Sequence, residues 1–203
     1  MVAQTEKRLA LVIGNSDYKH LSKLPNPVGD ALLIAETLDS LGFEIMLETN
    51  IKTKRKFLNK IIEFGERRDS FDVGFIFYAG HGMQVNGKNY LLPTEDSLKT
   101  EEDVRQYSVG VETVMKYLTQ RTGEVNVLIL DACRDNPLKK TRGGGVGGLA
   151  EIQAKGSLIA FSTTAGNVAD DGDGNHSVYC MSLAKNMLIE GISLDQVFRN
   201  VRK

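Results

Sequence analysis

The sequence of 203 residues predicts an α/β protein: a three-layer sandwich in which a mostly parallel central sheet of about five to six strands carries helices on both faces. Two observations lead to this fold class. Apolar runs of strand length alternate along the chain with longer segments of helical periodicity. The apolar runs are nearly continuous, which is typical of parallel strands that are buried on both faces.

The predicted strands are short apolar runs bounded by turn-forming or polar residues. They are Arg8–Gly14, Phe43–Glu48, Val73–Ala79, Val125–Asp131 and Ser157–Ser162. The segment Met83–Leu92 contains the dipeptide Asn86-Gly87, a strong signal for a two-residue hairpin turn. A β-hairpin is therefore expected shortly after the third strand.

Helices are predicted where apolar residues recur at helical spacing. They are Val28–Leu41, Thr53–Arg68, Val109–Arg121, Ser177–Glu190 and Ser193–Lys203. In the second of these helices, Phe57, Ile61 and Phe64 share one face, and charged residues occupy the other. Ser193 and Gln196 have the spacing of a capping box at the start of the last helix.

Composition narrows the class of protein. An apolar content of 41% and a charged content of 25% are those of a globular protein. A net charge of −1 gives no electrostatic reason to expect a nucleic-acid or membrane partner. The start of the chain lacks the apolar centre of a secretory signal, and two cysteines do not make a disulfide framework. We therefore expect a cytoplasmic protein.

One domain is predicted for residues 1–203, with a larger part at 1–138 and a smaller part at 151–203. The segment 139–150 between them is a glycine-rich linker, and glycine this dense does not favour helix or strand. We expect an exposed loop that is open to proteolysis. The last helix runs to residue 203 without a stop signal, so we expect a chain truncated at its C-terminus.

Two strands end at reactive side chains. His81 follows the run Phe75–Ala79, and Cys133 follows Val127–Asp131. Ligands of open α/β sheets bind beyond the carboxyl ends of the strands, so both residues are expected at the same rim. An imidazole next to a thiol accepts its proton and produces the nucleophilic thiolate. Backbone N–H groups of Gly82 and Cys133 are the predicted donors to the oxyanion of the intermediate.

The other histidines and the second cysteine are weaker candidates. His20 lies in a polar loop and is expected at the surface, whereas His176 lies in an acidic loop without a clear role. Cys180 fits an apolar helical pattern and is expected to be a small buried residue. An ordinary turn histidine remains an alternative for His81. Burial is a poor alternative for Cys133, because polar and charged residues surround it.

Three motifs resemble the caspase-like clan of cysteine peptidases. They are Leu9–Asn15 (Leu-Ala-Leu-Val-Ile-Gly-Asn), Tyr78–Gly82 (Tyr-Ala-Gly-His-Gly) and Asp131–Asp135 (Asp-Ala-Cys-Arg-Asp). His81 precedes Cys133 by 52 residues, and caspases have a histidine about 50 residues before the cysteine. The resemblance implies a caspase-like fold and a cysteine endopeptidase that acts through a Cys–His dyad and a thioester acyl-enzyme.

The chain differs from true caspases in its expected substrate pocket and resembles a bacterial paracaspase-type domain more closely. True caspases hold the aspartate side chain of the substrate with arginines. The matching position in the first loop lies near Leu24, and no arginine is present there. Asp30 and Asp131 match the pocket acids of paracaspases and metacaspases, and Asp170 is a candidate for a third. Because clustered carboxylates favour a cation, cleavage after Arg, with Lys second, is expected. The alternative for Asp30 is that it only favours a helix N-terminus.

The resemblance also bears on processing and metal dependence. In this clan the linker after the cysteine strand is often cut, and Lys139, Lys140 and Arg142 are candidate autoprocessing sites. No metal or cofactor is expected. Metacaspases often need calcium, however, and a loose acidic calcium site is left open even though Asp171–Asn175 fails the EF-hand pattern.

Alternatives to a peptidase remain. A catalytically silent caspase-like scaffold would bind partners without cleaving them, although such proteins usually lose the cysteine or the histidine. A flavodoxin-like or nucleotide-binding protein should have a phosphate-binding glycine pattern, and Gly143–Gly148 does not match one. Acyl transfer to other acceptors also stays open. The expected partners are peptides or proteins with a basic cleavage-site residue, and a homodimer is conceivable for a longer chain.

Overall fold

The computed structural model describes residues 6–119, 125–133, 157–161 and 176–201. Seven strands and six helices occur in these ranges. In chain order they are β1 (Arg8–Gly14), α1 (Pro27–Ser40), β2 (Phe43–Thr49), α2 (Lys54–Arg68), β3 (Val73–Val85), β4 (Lys88–Leu91), α3 (Glu101–Tyr107), β5 (Val109–Gly110), α4 (Val111–Leu118), β6 (Val125–Cys133), β7 (Ser157–Phe161), α5 (Val178–Met187) and α6 (Leu194–Val201).

Five strands form a parallel sheet in the order β2-β1-β3-β6-β7. The short strands β4 and β5 extend the end of β3 with antiparallel pairing. Side chains of alternate residues point to opposite faces of a sheet. Ala10 and Val12 accordingly pack in a core with α1, α5 and α6, whereas Leu9 and Leu11 pack with α2 and α4. The predicted three-layer α/β sandwich is therefore confirmed.

The local predictions hold with a few differences. The strand predicted for Val73–Ala79 continues to Val85, because residues 80–81 still pair with β6 and residues 82–85 pair with β4. The predicted hairpin is present, with Asn86 and Gly87 at φ 50° and 77° between β3 and β4. The helix predicted from Val109 begins at Val111, because residues 109–110 pair with β4 as β5. Helix α3 was not predicted, although Thr100 and Asp103 form a reciprocal capping box at its start. Every helix among the described residues is too short or too polar to span a bilayer.

A buried arginine joins the amino ends of the central strands. Arg68, the last residue of α2, is fully buried and donates hydrogen bonds to the carbonyl oxygens of Phe71, Asp72 and Val125 and to Oδ1 of Asn126. A Cβ on Gly74 would lie 2.2 Å from Arg68 Nε, so the glycine supplies the space that this side chain needs.

We expect Arg68→Met to lower the free energy of unfolding by about 3 kcal/mol, because it leaves several buried acceptors without their donor. Chemical denaturation followed by circular dichroism would measure the change. Arg67→Met is the matched control, since Arg67 is only half-buried and forms a surface ion pair with Glu44 that should be worth less than about 1 kcal/mol. Equal losses for the two variants would contradict this role for Arg68.

Candidate active site

The candidate site lies at the carboxyl ends of β1 and β6 and beside the point in β3 where parallel pairing ends, four residues before the strand itself ends at Val85. The register of the parallel ladder pairs His81 of β3 with Cys133 of β6, and this is the last pair of that ladder. Neighbouring strands are about 4.8 Å apart, so positions 81 and 133 are side by side on adjacent strands. Gly82 is the next residue of β3, where pairing passes from β6 to β4.

The imidazole of His81 is oriented by the loop that follows β1. The ring is 4% exposed, its Nε2 is 2.8 Å from the carbonyl oxygen of Ser22, and its centroid is 4.4 Å from that of the Tyr18 ring. A carbonyl oxygen only accepts hydrogen bonds, so Nε2 carries the proton and Nδ1 keeps its lone pair. Among the described residues, Nδ1 has no hydrogen-bond partner.

The environment of His81 favours the neutral base. Burial lowers the pKa of the imidazole, and the hydrogen bond to the Ser22 carbonyl offsets this in part. A neutral ring with a free Nδ1 is the form that removes a proton from a thiol. The Ser22 carbonyl thus orients the His81 ring, a contact for which the sequence offers no obvious acid.

Two tyrosines hold the backbone around His81. The His81 N–H donates to the Tyr18 hydroxyl at 2.8 Å, and the Tyr78 hydroxyl donates to the His81 carbonyl at 2.7 Å. Gly80 has φ 153°, and a Cβ there would lie 2.7 Å from both hydroxyl oxygens. Glycine before the histidine is therefore needed to let the two tyrosines approach the backbone.

Asp131 belongs to β6, and it clusters with Asp30, Ser177 and Cys180. This cluster is called the acidic recess, because the proposal places a substrate side chain there. Asp131 is two residues before Cys133 on β6. Asp30 lies in the first turn of α1 and is 2% exposed. One ligand atom from each of Asp30, Asp131 and Cys180 lies within 4.8 Å of the others.

The start of α5 connects the two acids. The backbone N–H of Ser177 donates to Oδ1 of Asp30 at 2.8 Å, and the Ser177 hydroxyl donates to Oδ2 of Asp131 at 3.4 Å. The Cys180 thiol is 3.3 Å from the same Asp131 oxygen. His176 Nδ1 lies 3.9 Å from Asp30, so an imidazole also faces this recess.

The surroundings of the acidic recess disfavour the negatively charged forms of Asp30 and Cys180. Burial raises the pKa of Asp30 to about 6, the Ser177 N–H opposes this, and the charge of Asp131 adds to it. Burial, followed by the charges of Asp131 and Asp30, raises the pKa of the Cys180 thiol well above its ordinary value. Cys180 is therefore a neutral donor. Because metals bind the thiolate form, the geometry of these three groups does not by itself indicate a metal site.

Comparison with known proteins identifies the family. The model of the Peptidase_C14 family, described as the caspase domain, matches residues 7–203. The chain belongs to the caspase domain family. It is 27% identical over 129 residues to the human mucosa-associated lymphoid tissue lymphoma translocation protein 1, which covers 63% of this chain and 15% of that protein. It is 26% identical over 226 residues to rat (Rattus norvegicus) caspase-1, which covers 100% of this chain and 54% of that protein.

Solved structures agree with the fold of this caspase domain. The crystal structure of the Drosophila initiator caspase Dronc has a TM-score of 0.71 and 13% identity, covering 98% of this chain and 74% of that one. The structure of pro-sf-caspase-1 has a TM-score of 0.69 and 16% identity, covering 97% and 79%. These likenesses concern the fold. The chain spans about half or less of the length of the curated relatives named above.

The caspase domain brings together only some of the predicted site residues. Positions 81, 82 and 133 meet at one rim, and Asp30 meets Asp131 beside them. Cys180 is fully buried and His20 is exposed, as predicted. Four candidates and one segment lie outside the described residues, namely Asp170, Lys139, Lys140, Arg142 and the linker 139–150.

Sequence reasoning missed the groups that act through the backbone or through long-range contacts. The Ser22 carbonyl has no sequence signal, because any residue supplies a carbonyl. The sequence shows Tyr18 only as a tyrosine in the loop after β1. It shows Ser177 only as a serine at the start of a helix, where serine is a common N-cap. Neither pattern shows what the hydroxyl contacts.

Proposed function

We propose that this caspase domain is a cysteine endopeptidase that cleaves peptide bonds after basic residues, with Arg preferred over Lys. One observation carries the proposal. The last pair of the β3–β6 ladder joins His81 to Cys133, and two carboxylates share a recess next to it. Family membership supports a cysteine-type peptidase. The basic specificity rests on the acidic recess.

The reaction proceeds through an acyl-enzyme. His81 Nδ1 takes the proton of the Cys133 thiol, and the sulfur attacks the carbonyl carbon of the scissile bond. Backbone N–H groups of Gly82 and Cys133 stabilise the resulting oxyanion. The intermediate collapses to a thioester as the imidazolium gives its proton to the leaving amine. Water, deprotonated by His81, then hydrolyses the thioester and restores the thiol. None of these steps needs a metal or cofactor.

The acidic recess selects the residue before the cut. A guanidinium placed between Asp30 and Asp131 relieves the repulsion of the two carboxylates and forms paired charge-assisted hydrogen bonds. An ammonium group neutralises the same charge as a single point, with less directional bonding. An aspartate side chain would add a third negative charge and be repelled. The expected order is therefore Arg, then Lys, with Asp excluded.

Matched fluorogenic peptides that end in Arg, Lys or Asp before the reporter test this function. We expect kcat/KM for Arg to exceed that for Lys about tenfold and to exceed that for Asp by more than about 10³-fold. The assay is run once with calcium and once with a chelator, so that the two rates measure any calcium dependence. Turnover of the Asp peptide alone would contradict the recess argument. A folded protein that cleaves none of the peptides would favour the silent scaffold.

Autoprocessing in the linker is a separate prediction. A peptidase with this specificity would cut after Lys139, Lys140 or Arg142, because these basic residues of the glycine-rich segment match its own expected specificity. Intact-mass spectrometry of stored active protein should show chain ends at these residues. A chain that remains intact while it turns over the Arg peptide would contradict the prediction.

Cytoplasmic location and dimer formation remain predictions as well.

A further inference from the structure

We propose that Ser177 is a positioning residue that sets the preference for Arg over Lys by holding both carboxylates of the acidic recess. The inference rests on the proposed function. Asp30 lies on α1 and Asp131 on β6, so the two acids belong to different layers of the fold. Ser177 is the one described residue with hydrogen bonds to both of them.

The hydrogen bonds of Ser177 leave its hydroxyl little freedom. Its oxygen accepts from the Cys180 backbone N–H at 3.1 Å, as the N-cap of α5, and its proton is therefore directed to Asp131 at 3.4 Å. The backbone N–H of the same residue donates to Asp30. Like charges repel, and the two Ser177 donors oppose this repulsion by drawing both carboxylates towards one residue when the recess holds no cation.

This arrangement matters more for Arg than for Lys. Paired hydrogen bonds to a planar guanidinium need carboxylate oxygens at fixed separations and directions. An ammonium group has three rotatable donors and tolerates a wider range of acceptor positions. Losing the Ser177 hydroxyl should therefore lower Arg turnover more than Lys turnover, while the charge of the recess stays the same.

The test compares the ratio of kcat/KM for the Arg and Lys peptides in Ser177→Ala, Ser177→Gly and Ser177→Thr. Because both peptides meet the same preparation, the fraction of folded enzyme cancels in this ratio. We expect an Arg:Lys ratio of about ten in the unchanged protein and of about two in the Ala and Gly variants. The Thr variant keeps the hydroxyl and should recover a ratio of about ten. Glycine is favoured over alanine at an N-cap, so these two variants should differ in melting temperature but not in the ratio.

Thr53→Ala is the control for a lost helix cap. Thr53 caps α2 through the Lys56 N–H and has no contact with the recess. It should lower the melting temperature and leave the Arg:Lys ratio unchanged. A ratio that stays near tenfold in both Ser177→Ala and Ser177→Gly would overturn the role of Ser177 and leave the proposed function standing. If the unchanged protein shows no preference for basic peptides, both the role of Ser177 and the proposed function are wrong.

Discussion

Cys133→Ala is expected to abolish turnover of the Arg peptide, with a loss of at least about 10⁴-fold in kcat. The substitution removes the only atom that forms the thioester in the proposed mechanism, whereas the recess and the fold remain. His81→Ala should cost about 10³-fold, because the thiol then ionises only to the extent that its own pKa allows. Active-site titration and steady-state kinetics on equal amounts of folded protein measure both losses.

Two controls separate chemistry from damage to the fold. His20→Ala removes an exposed imidazole from the same loop region and should leave kcat/KM unchanged. Brief treatment with iodoacetamide followed by intact-mass measurement should add one group to the unchanged protein and none to Cys133→Ala, since Cys180 is fully buried and its thiol pKa is raised. Activity of Cys133→Ala close to that of the unchanged protein would refute the nucleophile assignment.

Asp30→Asn is expected to lower kcat/KM for the Arg peptide about 10³-fold and to raise stability at the same time. In Asp30→Asn the bound Arg side chain of the substrate keeps only one of its two carboxylate partners. Losing such a partner in a desolvated site weakens binding by about 2–5 kcal/mol. In the free protein, however, burial raises the pKa of Asp30 to about 6 from 3.8, so its charge opposes folding. Removing that charge should add about 1–2 kcal/mol to the free energy of unfolding at pH 8.

The pH dependence of this gain has a defined sign. A raised carboxyl pKa means that the folded state binds the proton more tightly than the unfolded state does. The cost of the charge is absent below about pH 4, develops as the pH rises towards about 6, and is complete above that value. The free energies of unfolding of Asp30→Asn and of the unchanged protein should therefore diverge between about pH 4 and pH 6 and differ by a constant amount above that range.

Asp39→Asn is the matched control, because Asp39 lies on the same helix and is exposed. It should alter neither stability nor turnover by a measurable amount. The unchanged enzyme should also lose Arg turnover as the pH falls through about 6, when Asp30 takes up a proton in the free recess. Asp30→Asn with full activity towards the Arg peptide would exclude this carboxylate from substrate binding.

The sequence alone determined the layers of the fold and which residues stand at the strand ends. Apolar runs such as Leu9–Ile13 and Phe75–Ala79 are readable because burial on both faces demands continuous apolar residues. The same rule indicates where each run stops, and thereby places His81 and Cys133 where the parallel pairing of β3 with β6 ends, although β3 itself continues to Val85. These are local properties of the chain.

Only the tertiary structure decided what those residues contact. The Ser22 carbonyl lies 59 residues from His81 along the chain, and Ser177 lies 147 residues from Asp30. Local periodicity carries no information about such pairs, because each depends on how loops and helix ends from different layers meet. Arg68 shows the same limit, since it belongs to a charged stretch of sequence and yet is fully buried beside Gly74. Packing, rather than residue type, determined its environment.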